Sequence, residues 1–285
     1  MLTDTTTFFS LDSEYLEEIA TKYQQIYSQG HPFPHVVIDD FLPEYILNQI
    51  LTEFPKPEAI NWKQFDTTTE KKLASTSELQ MGEATRLLLY NLNSSTFINF
   101  LENLTGIEGI IPDPHFVGGG LHQIQRGGYL KIHADFNHHR RLHLDRRLNL
   151  LIYLNKDWQD EYGGHFEMWN PEMTQCEQRI LPIFNRCVIF NTTDWSYHGH
   201  PHPLNCPEGR TRKSLALYYY SNGRPIEEVS ERHSTIFKAT DKEDIDPNLT
   251  SNSNSTIKSI LKRITPPIFW DAKNYLSKHS HLENR

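Results

Sequence analysis

Two residues set the chemistry open to this chain. His133 and Asp135 form an H-x-D pair at the end of an alternating segment, Tyr129-Leu130-Lys131-Ile132-His133-Ala134-Asp135. In a strand, residues two apart point to the same face, so an imidazole and a carboxylate converge on one point. One more histidine from a distant strand would complete two histidines and one carboxylate. That set holds Fe(II) on one face and leaves the other positions open for a cosubstrate and oxygen.

His198, His200 and His202 are the candidates for the third ligand. Arg186-Cys187-Val188-Ile189-Phe190 reads as a buried strand, and the ligand should open the next inward-facing stretch. His198 is preferred, because Gly199 beside it lets the backbone approach a metal closely. His200 stays as an alternative, while Pro201 and Pro203 suit a rim loop around His200 and His202. Fifteen histidines make a chance pair a real concern; eight of them fall between His133 and His202, about a quarter of the chain, and that clustering favours a site. His138, His139 and His143 lie in an Arg-rich loop and are expected at the surface.

A 2-oxo acid chelated to iron needs a cation for its far carboxylate, ideally a planar one. Arg212 opens the apolar run Arg212 to Tyr220, in phase with Ser214, Ala216 and Tyr218. A charged strand entrance formed with Arg210 and Lys213 is the competing reading. Other chemistries lack their signatures. The chain has no G-x-S-x-G elbow, no phosphate-binding Gly-Lys-Ser/Thr loop and no C-x-x-C pair, and Gly118-Gly119-Gly120 lacks the strand-then-helix setting of a dinucleotide loop.

The elements that must carry these residues follow from composition and periodicity. At 285 residues the chain fits one domain of about 200–250 residues with appendages. A net charge of -8 argues against nucleic acid or a membrane surface as partner. Three scattered cysteines point to a reducing compartment. The start, Met1-Leu2-Thr3-Asp4, is unlike a signal peptide, and no apolar run approaches the ~18 residues of a membrane span. The expectation is a soluble cytoplasmic protein.

Periodicity predicts helices over 11–29, from Pro43 to Leu51 and over 83–104, a strand over 33–41, and a long surface connection over 56–80. From Phe116 onward short strands separated by turns take over, at 121–125, 129–134, 147–154, 165–169, 178–181, 186–190 and 212–220. Strand 147–154 is apolar enough to be covered on both faces. The fold class expected is mainly β with flanking helices (α+β): a double-stranded β-helix, or jelly roll, over about 116–222, with N-terminal helices packed on it. Segment 1–31 is taken as an N-terminal helix, 32–224 as the main domain, and 225–285 as a linker and C-terminal helical tail, with helical stretches at 257–264 and 269–278.

Taken together, these motifs resemble the Fe(II)- and 2-oxoglutarate-dependent dioxygenases of the prolyl 4-hydroxylase family, in particular the branch of hypoxia-sensing prolyl hydroxylases. His133-Ala134-Asp135 is similar to the family's metal motif. Tyr153-Leu154-Asn155-Lys156-Asp157-Trp158, followed by Gly163-Gly164, is similar to its Y-L-N-x-x-W strand end and G-G turn. The spacing from Phe190 to His198, the position of Arg212 and the entry segment Phe33 to Leu42 also agree, so the resemblance covers roughly residues 32–224.

It implies a cupin-like jelly roll in which His133, Asp135 and His198 hold Fe(II), while Arg212 and Tyr153 bind 2-oxoglutarate. It further implies O2 as the oxidant and ascorbate as a supporting reductant. The implied reaction is hydroxylation of an unactivated C–H bond of a prolyl or other residue in a peptide or protein, with release of succinate and CO2. A free amino acid or small metabolite is the alternative substrate, and a non-catalytic, oxygen-sensing metal protein the alternative class. Asp135 argues against halogenation, since related halogenases carry a small residue there. The tyrosine that many relatives place eight to ten residues before the first histidine is absent, the positions being Gln123, Ile124 and Gln125. The basic loop after the metal motif is expected to act as a lid in which Arg140 and Arg141 meet an acidic substrate; a solvated loop is the competing reading.

Overall fold

The computed structural model describes residues 9–240. Helix α1 (Ser13–Ser28) starts where the Asp12 side chain accepts from the amides of Glu14 and Tyr15, and it buries Leu16, Ile19 and Ala20 at helical spacing. Strand β1 (His35–Ile38) and helix α2 (Glu44–Glu53) follow as expected. The helical stretch after residue 83 is two helices, α3 (Glu83–Leu92) and α4 (Ser95–Thr105). They part at Asn93-Ser94, because the Ser94 hydroxyl caps the new helix by accepting from the amide of Phe97.

The remaining strands are β2 (Lys63–Asp66), β3 (Glu70–Ser75), β4 (Ile111–Pro112), β5 (Gly120–Ile124), β6 (Tyr129–Ala134), β7 (His138–His139), β8 (Leu144–Tyr153), β9 (Phe166–Trp169), β10 (Cys176–Ile180), β11 (Cys187–Asn191), β12 (Tyr197–His200), β13 (Arg212–Ser221) and β14 (Ile236–Phe237). They pair antiparallel in the order β1-β11-β8-β13-β5-β3-β6-β12-β9-β10 and curl into the jelly roll expected. Strand β8 is covered on both faces. Leu148, Leu150 and Ile152, with Cys187, Ile189, Leu215, Leu217 and Tyr219, form the core under the helices. Tyr153, Phe166, Met168, Val188 and Phe190 fill the interior between the two halves of the sheet. Period-two alternation therefore sends one set of β13 residues to the helices and the other, Arg212, Ser214 and Tyr218, into the interior cavity.

Three expectations about the elements are corrected. Residues 56–80 are not a plain surface connection: β2 and β3 form a ribbon, and β3 bridges β5 and β6 in the main sheet. Lys71 and Lys72 hide the strand in the sequence, although Leu73, Ala74 and Ser75 are buried. The loop after the metal motif is partly built into the sheet, with β7 paired to β8 and His139 buried beside Asp113, while Arg140, Arg141 and His143 are exposed. The segment after 224 is not simply a linker, since the compact unit extends to Lys238. There β14 pairs with β6, and Asn137 donates to Ser230 Oγ and to the Glu231 carbonyl. The helical stretches expected at 257–264 and 269–278 lie outside the described residues. Among the described residues, no helix is long and apolar enough to cross a membrane.

Candidate metal centre

Strand pairing explains why the ligand candidates meet. His133 on β6 lies directly opposite His198 on β12, and Asp135 follows two residues later on the same side. One ligand atom from each of the three falls within 4.8 Å of the others. His133 Nε2 is 3.6 Å from Asp135 Oδ1, and His198 Nε2 is 3.4 Å from Asp135 Oδ2. The two rings sit 4.6 Å apart, centroid to centroid.

The tautomers follow from the backbone. His133 Nδ1 lies 2.9 Å from the Lys131 carbonyl and His198 Nδ1 2.8 Å from the Ser196 carbonyl. A carbonyl only accepts, so each Nδ1 carries the proton and each Nε2 turns a bare lone pair toward Asp135. Burial, then the neighbouring His198, push His133 below the usual imidazole pKa and favour that neutral form. Phe190 and Phe166 pack on the His198 ring at 4.7 and 5.5 Å, and Phe237 on the His133 ring at 5.4 Å.

Asp135 is held by residues that the sequence did not single out. Burial alone would raise its pKa, but the Arg146 guanidinium overcomes that and keeps the carboxyl well below its ordinary value. Arg146 lies 3.0 Å from Asp135 Oδ2, and Asn149 donates to the same oxygen at 2.7 Å. Arg146 also donates to Asn149 Oδ1 from Nε and a terminal nitrogen, at 2.9 and 2.7 Å, and lies 3.5 Å above the Tyr218 ring.

Alternation counted back from Tyr153 would put Arg147 in the cavity rather than Arg146. A bulge in β8 reverses the phase: Leu148 faces Tyr219, but Arg146 faces Tyr220. Arg147, also buried, instead turns away from the cavity, with its two terminal nitrogens 3.2 Å from Ser221 Oγ and 3.7 Å from Glu228.

Arg212 is buried on the same cavity, which measures about 650 Å³. Its Nε donates to the Gly164 carbonyl at 2.9 Å, and a terminal nitrogen lies 3.4 Å from the Tyr153 hydroxyl. A Cβ on Gly164 (φ +71°) would fall 2.5 Å from Leu204 and 3.0 Å from Arg212, so this position needs glycine. Tyr153 supports Arg212 from behind, its ring 4.9 Å from the guanidinium, and does not itself line the cavity. No carboxylate lies within ion-pair distance of Arg212 among the described residues. A buried cation without an anion is costly, and burial indeed depresses the Arg212 pKa.

The other expected residues part company. Arg140 and Arg141 are exposed at the β7–β8 turn and do not line the cavity, because His139 Nδ1 accepts from the Arg141 and Leu142 amides and closes that turn away from it. Asp145 pairs with His138 rather than with an arginine. His202 is exposed. His200 is no rim residue: it ends β12, is 3% exposed and lines the cavity, yet it falls outside the three-ligand cluster. Gly199 serves a different close approach than expected. A Cβ there would fall 2.7 and 2.8 Å from the carbonyl oxygens of Leu130 and Lys131, so it lets β12 press on β6 rather than on a metal. Lys72, Ser75 and Phe237 also line the cavity, from segments read as connection and linker.

Residues 119–220, which carry the cluster and Arg212, match the family model of the 2OG-Fe(II) oxygenase superfamily. This stretch is similar to a 2OG-Fe(II) oxygenase domain. Solved structures similar to it include a Pseudomonas putida prolyl-4-hydroxylase (16% identity, TM-score 0.51, covering 73% of this chain and 100% of that one). A Trichoplax adhaerens prolyl hydroxylase, in complex with a hypoxia inducible factor oxygen degradation domain peptide fragment, is similar at 16% identity and TM-score 0.53, over 73% of this chain and 91% of that one. A Phytophthora capsici prolyl 4-hydroxylase gives 20% identity and TM-score 0.50, over 77% and 69%. At these identities the likeness is one of fold. No curated protein matches the chain.

The residues present fit the cofactors of such a domain. Two neutral imidazole nitrogens and one ionised carboxylate make a donor set suited to Fe(II), and the buried, unpaired Arg212 suits the far carboxylate of 2-oxoglutarate.

Proposed function

We propose that this oxygenase domain hydroxylates an unactivated C–H bond of a prolyl or other residue in a peptide or protein, with His133, Asp135 and His198 as its Fe(II) ligands. The convergence of their three ligand atoms, with both Nδ1 atoms committed to backbone carbonyls, carries this reading. When bound, Fe(II) with 2-oxoglutarate and O2 supplies oxidative decarboxylation to succinate and CO2, coupled to oxygenation of the substrate.

The chain's own work is orientation. Arg146 and Asn149 fix the plane and charge of Asp135, and the phenylalanines at 166, 190 and 237 fix the rings and dry the site. Arg212, steadied by Tyr153 and Gly164, orients 2-oxoglutarate through its far carboxylate. Ascorbate would sustain turnover as external reductant. The peptide substrate is supported by the prolyl hydroxylases that share the fold, one of them solved with a peptide fragment bound.

The test is a mass screen of proline-containing peptides against free amino acids, with Fe(II), 2-oxoglutarate and ascorbate. A gain of one oxygen on a peptide is the expected result. A gain on free amino acids alone would move the substrate to a small metabolite. No succinate from any of them would leave a binding protein.

A further inference from the structure

His200 is the anomaly of the cavity. It is 3% exposed, and neither ring nitrogen has a hydrogen-bond partner among the described residues. The other cavity histidines of the central strands are anchored: His133 on the Lys131 carbonyl, His198 on the Ser196 carbonyl, and His122 through Nε2 on the Gly118 carbonyl at 3.0 Å. A buried polar group left unpaired costs about 1–3 kcal/mol, and native proteins seldom leave one so. A neutral imidazole has one N–H to give, and no group among the described residues accepts it here.

The neighbours of His200 say which ligand. It shares the cavity with Arg212 and Ser214, and it lies opposite Leu130 while Arg212 lies opposite Ile124, both at the hairpin end of β5 and β6. The Arg212 guanidinium spends Nε on Gly164 and one terminal nitrogen on Tyr153, and it has no carboxylate partner among the described residues. A single carboxylate would answer both a cation without an anion and an N–H without an acceptor. Positions 123–125 offer the carboxylate no further donor. Gln123 is committed to Thr211 and the Pro55 carbonyl, Ile124 is apolar and Gln125 is exposed.

We propose that His200 is a cosubstrate-binding residue, one ring N–H donating to the distal carboxylate of 2-oxoglutarate beside Arg212. The inference rests on the 2-oxoglutarate reading above and adds a recognition contact to it. His200 then reads the length of the cosubstrate: it rewards a second carboxylate and ignores the keto acid end.

The test uses the full chain loaded with Mn(II). Calorimetry gives the Kd for 2-oxoglutarate and for 2-oxobutyrate, which has the same keto acid end but no distal carboxylate. His200→Ala should weaken 2-oxoglutarate about tenfold or more, as expected for a hydrogen bond to a charged group. It should leave 2-oxobutyrate and Mn(II) binding unchanged. His200→Leu, which fills the space without a donor, should behave like alanine, and His200→Gln, with an amide N–H, should restore most of the affinity.

An unchanged Kd for 2-oxoglutarate in the alanine and leucine variants overturns the proposal, as does an equal loss for both ligands. Loss of Mn(II) in those variants also overturns it, by making His200 a metal ligand. A wild-type protein that binds Mn(II) but no 2-oxoglutarate brings down the functional reading itself, which is a different result from any failure of His200.

Discussion

Replacing Arg146 by methionine isolates what holds Asp135 in place. The guanidinium is 1% exposed and lies 3.0 Å from Asp135 Oδ2. It also donates twice to Asn149 and stacks on Tyr218 at 3.5 Å, with Phe136 at 4.4 Å on another side. Methionine refills much of that volume, so the cavity penalty is small. What remains is a buried carboxylate without its cation, and breaking such a pair costs about 3–5 kcal/mol. The lower end, about 3 kcal/mol at neutral pH, is expected because Asn149 still donates to Oδ2.

The sign of the pH dependence follows from the depressed Asp135 pKa. Its contribution is present above the unfolded value of about 3.9 and is lost as pH falls through the lower folded value. The gap between wild type and Arg146→Met, measured by urea unfolding in chelator, should therefore be widest near neutrality and close in acid. Mn(II) affinity should fall about 10- to 100-fold, as for other residues that orient a metal ligand. A gap below about 1 kcal/mol at neutral pH, or one that widens on acidification, would refute the reasoning.

Two further outcomes follow from the same geometry. Arg212→Met should leave the metal-free protein as stable as wild type or more so, because it removes a buried cation with no anion, while raising the KM for 2-oxoglutarate about a hundredfold; thermal unfolding and succinate kinetics together check this. His233 lies 2.8 Å from Asp194 and fastens the segment before β14. Burial lowers its pKa, but the hydrogen bond it donates to Asp194 outweighs that and the net shift is upward. The stabilisation is complete below the unfolded value of about 6.5 and is lost as pH rises through the folded value. Amides of residues 230–238 should exchange faster, after correction for intrinsic rates, above that range than below it, and His233→Ala should erase the difference.

The chemistry of the site was largely legible in the sequence, and its supporting structure was not. Alternation brought His133 and Asp135 to one face. His198 was singled out through Gly199, which in fact seats β12 on β6 beside a register shift, and Arg212 stood out through the resemblance more than through its strand. Arg146 was hidden because the β8 bulge reverses the phase before it, and Arg140 and Arg141 drew attention only by charge. Strand β3 went unread because Lys71 and Lys72 mask a pattern whose buried half is Leu73 to Ser75. Phe237 was out of reach for another reason: it comes to His133 through pairing of β14 with β6, a contact between segments about a hundred residues apart that no local pattern encodes. The break between α3 and α4 was signalled by Asn93-Ser94 and passed over because the apolar spacing continues across it.

The central claim is that His133, Asp135 and His198 form the working metal site. Release of succinate from 2-oxoglutarate, measured with Fe(II) and ascorbate for wild type, His198→Ala and His133→Ala, tests it most directly. Turnover in wild type that both substitutions abolish, together with stoichiometric Mn(II) binding, is the expected result. Turnover that persists in His198→Ala at the wild-type rate would contradict it.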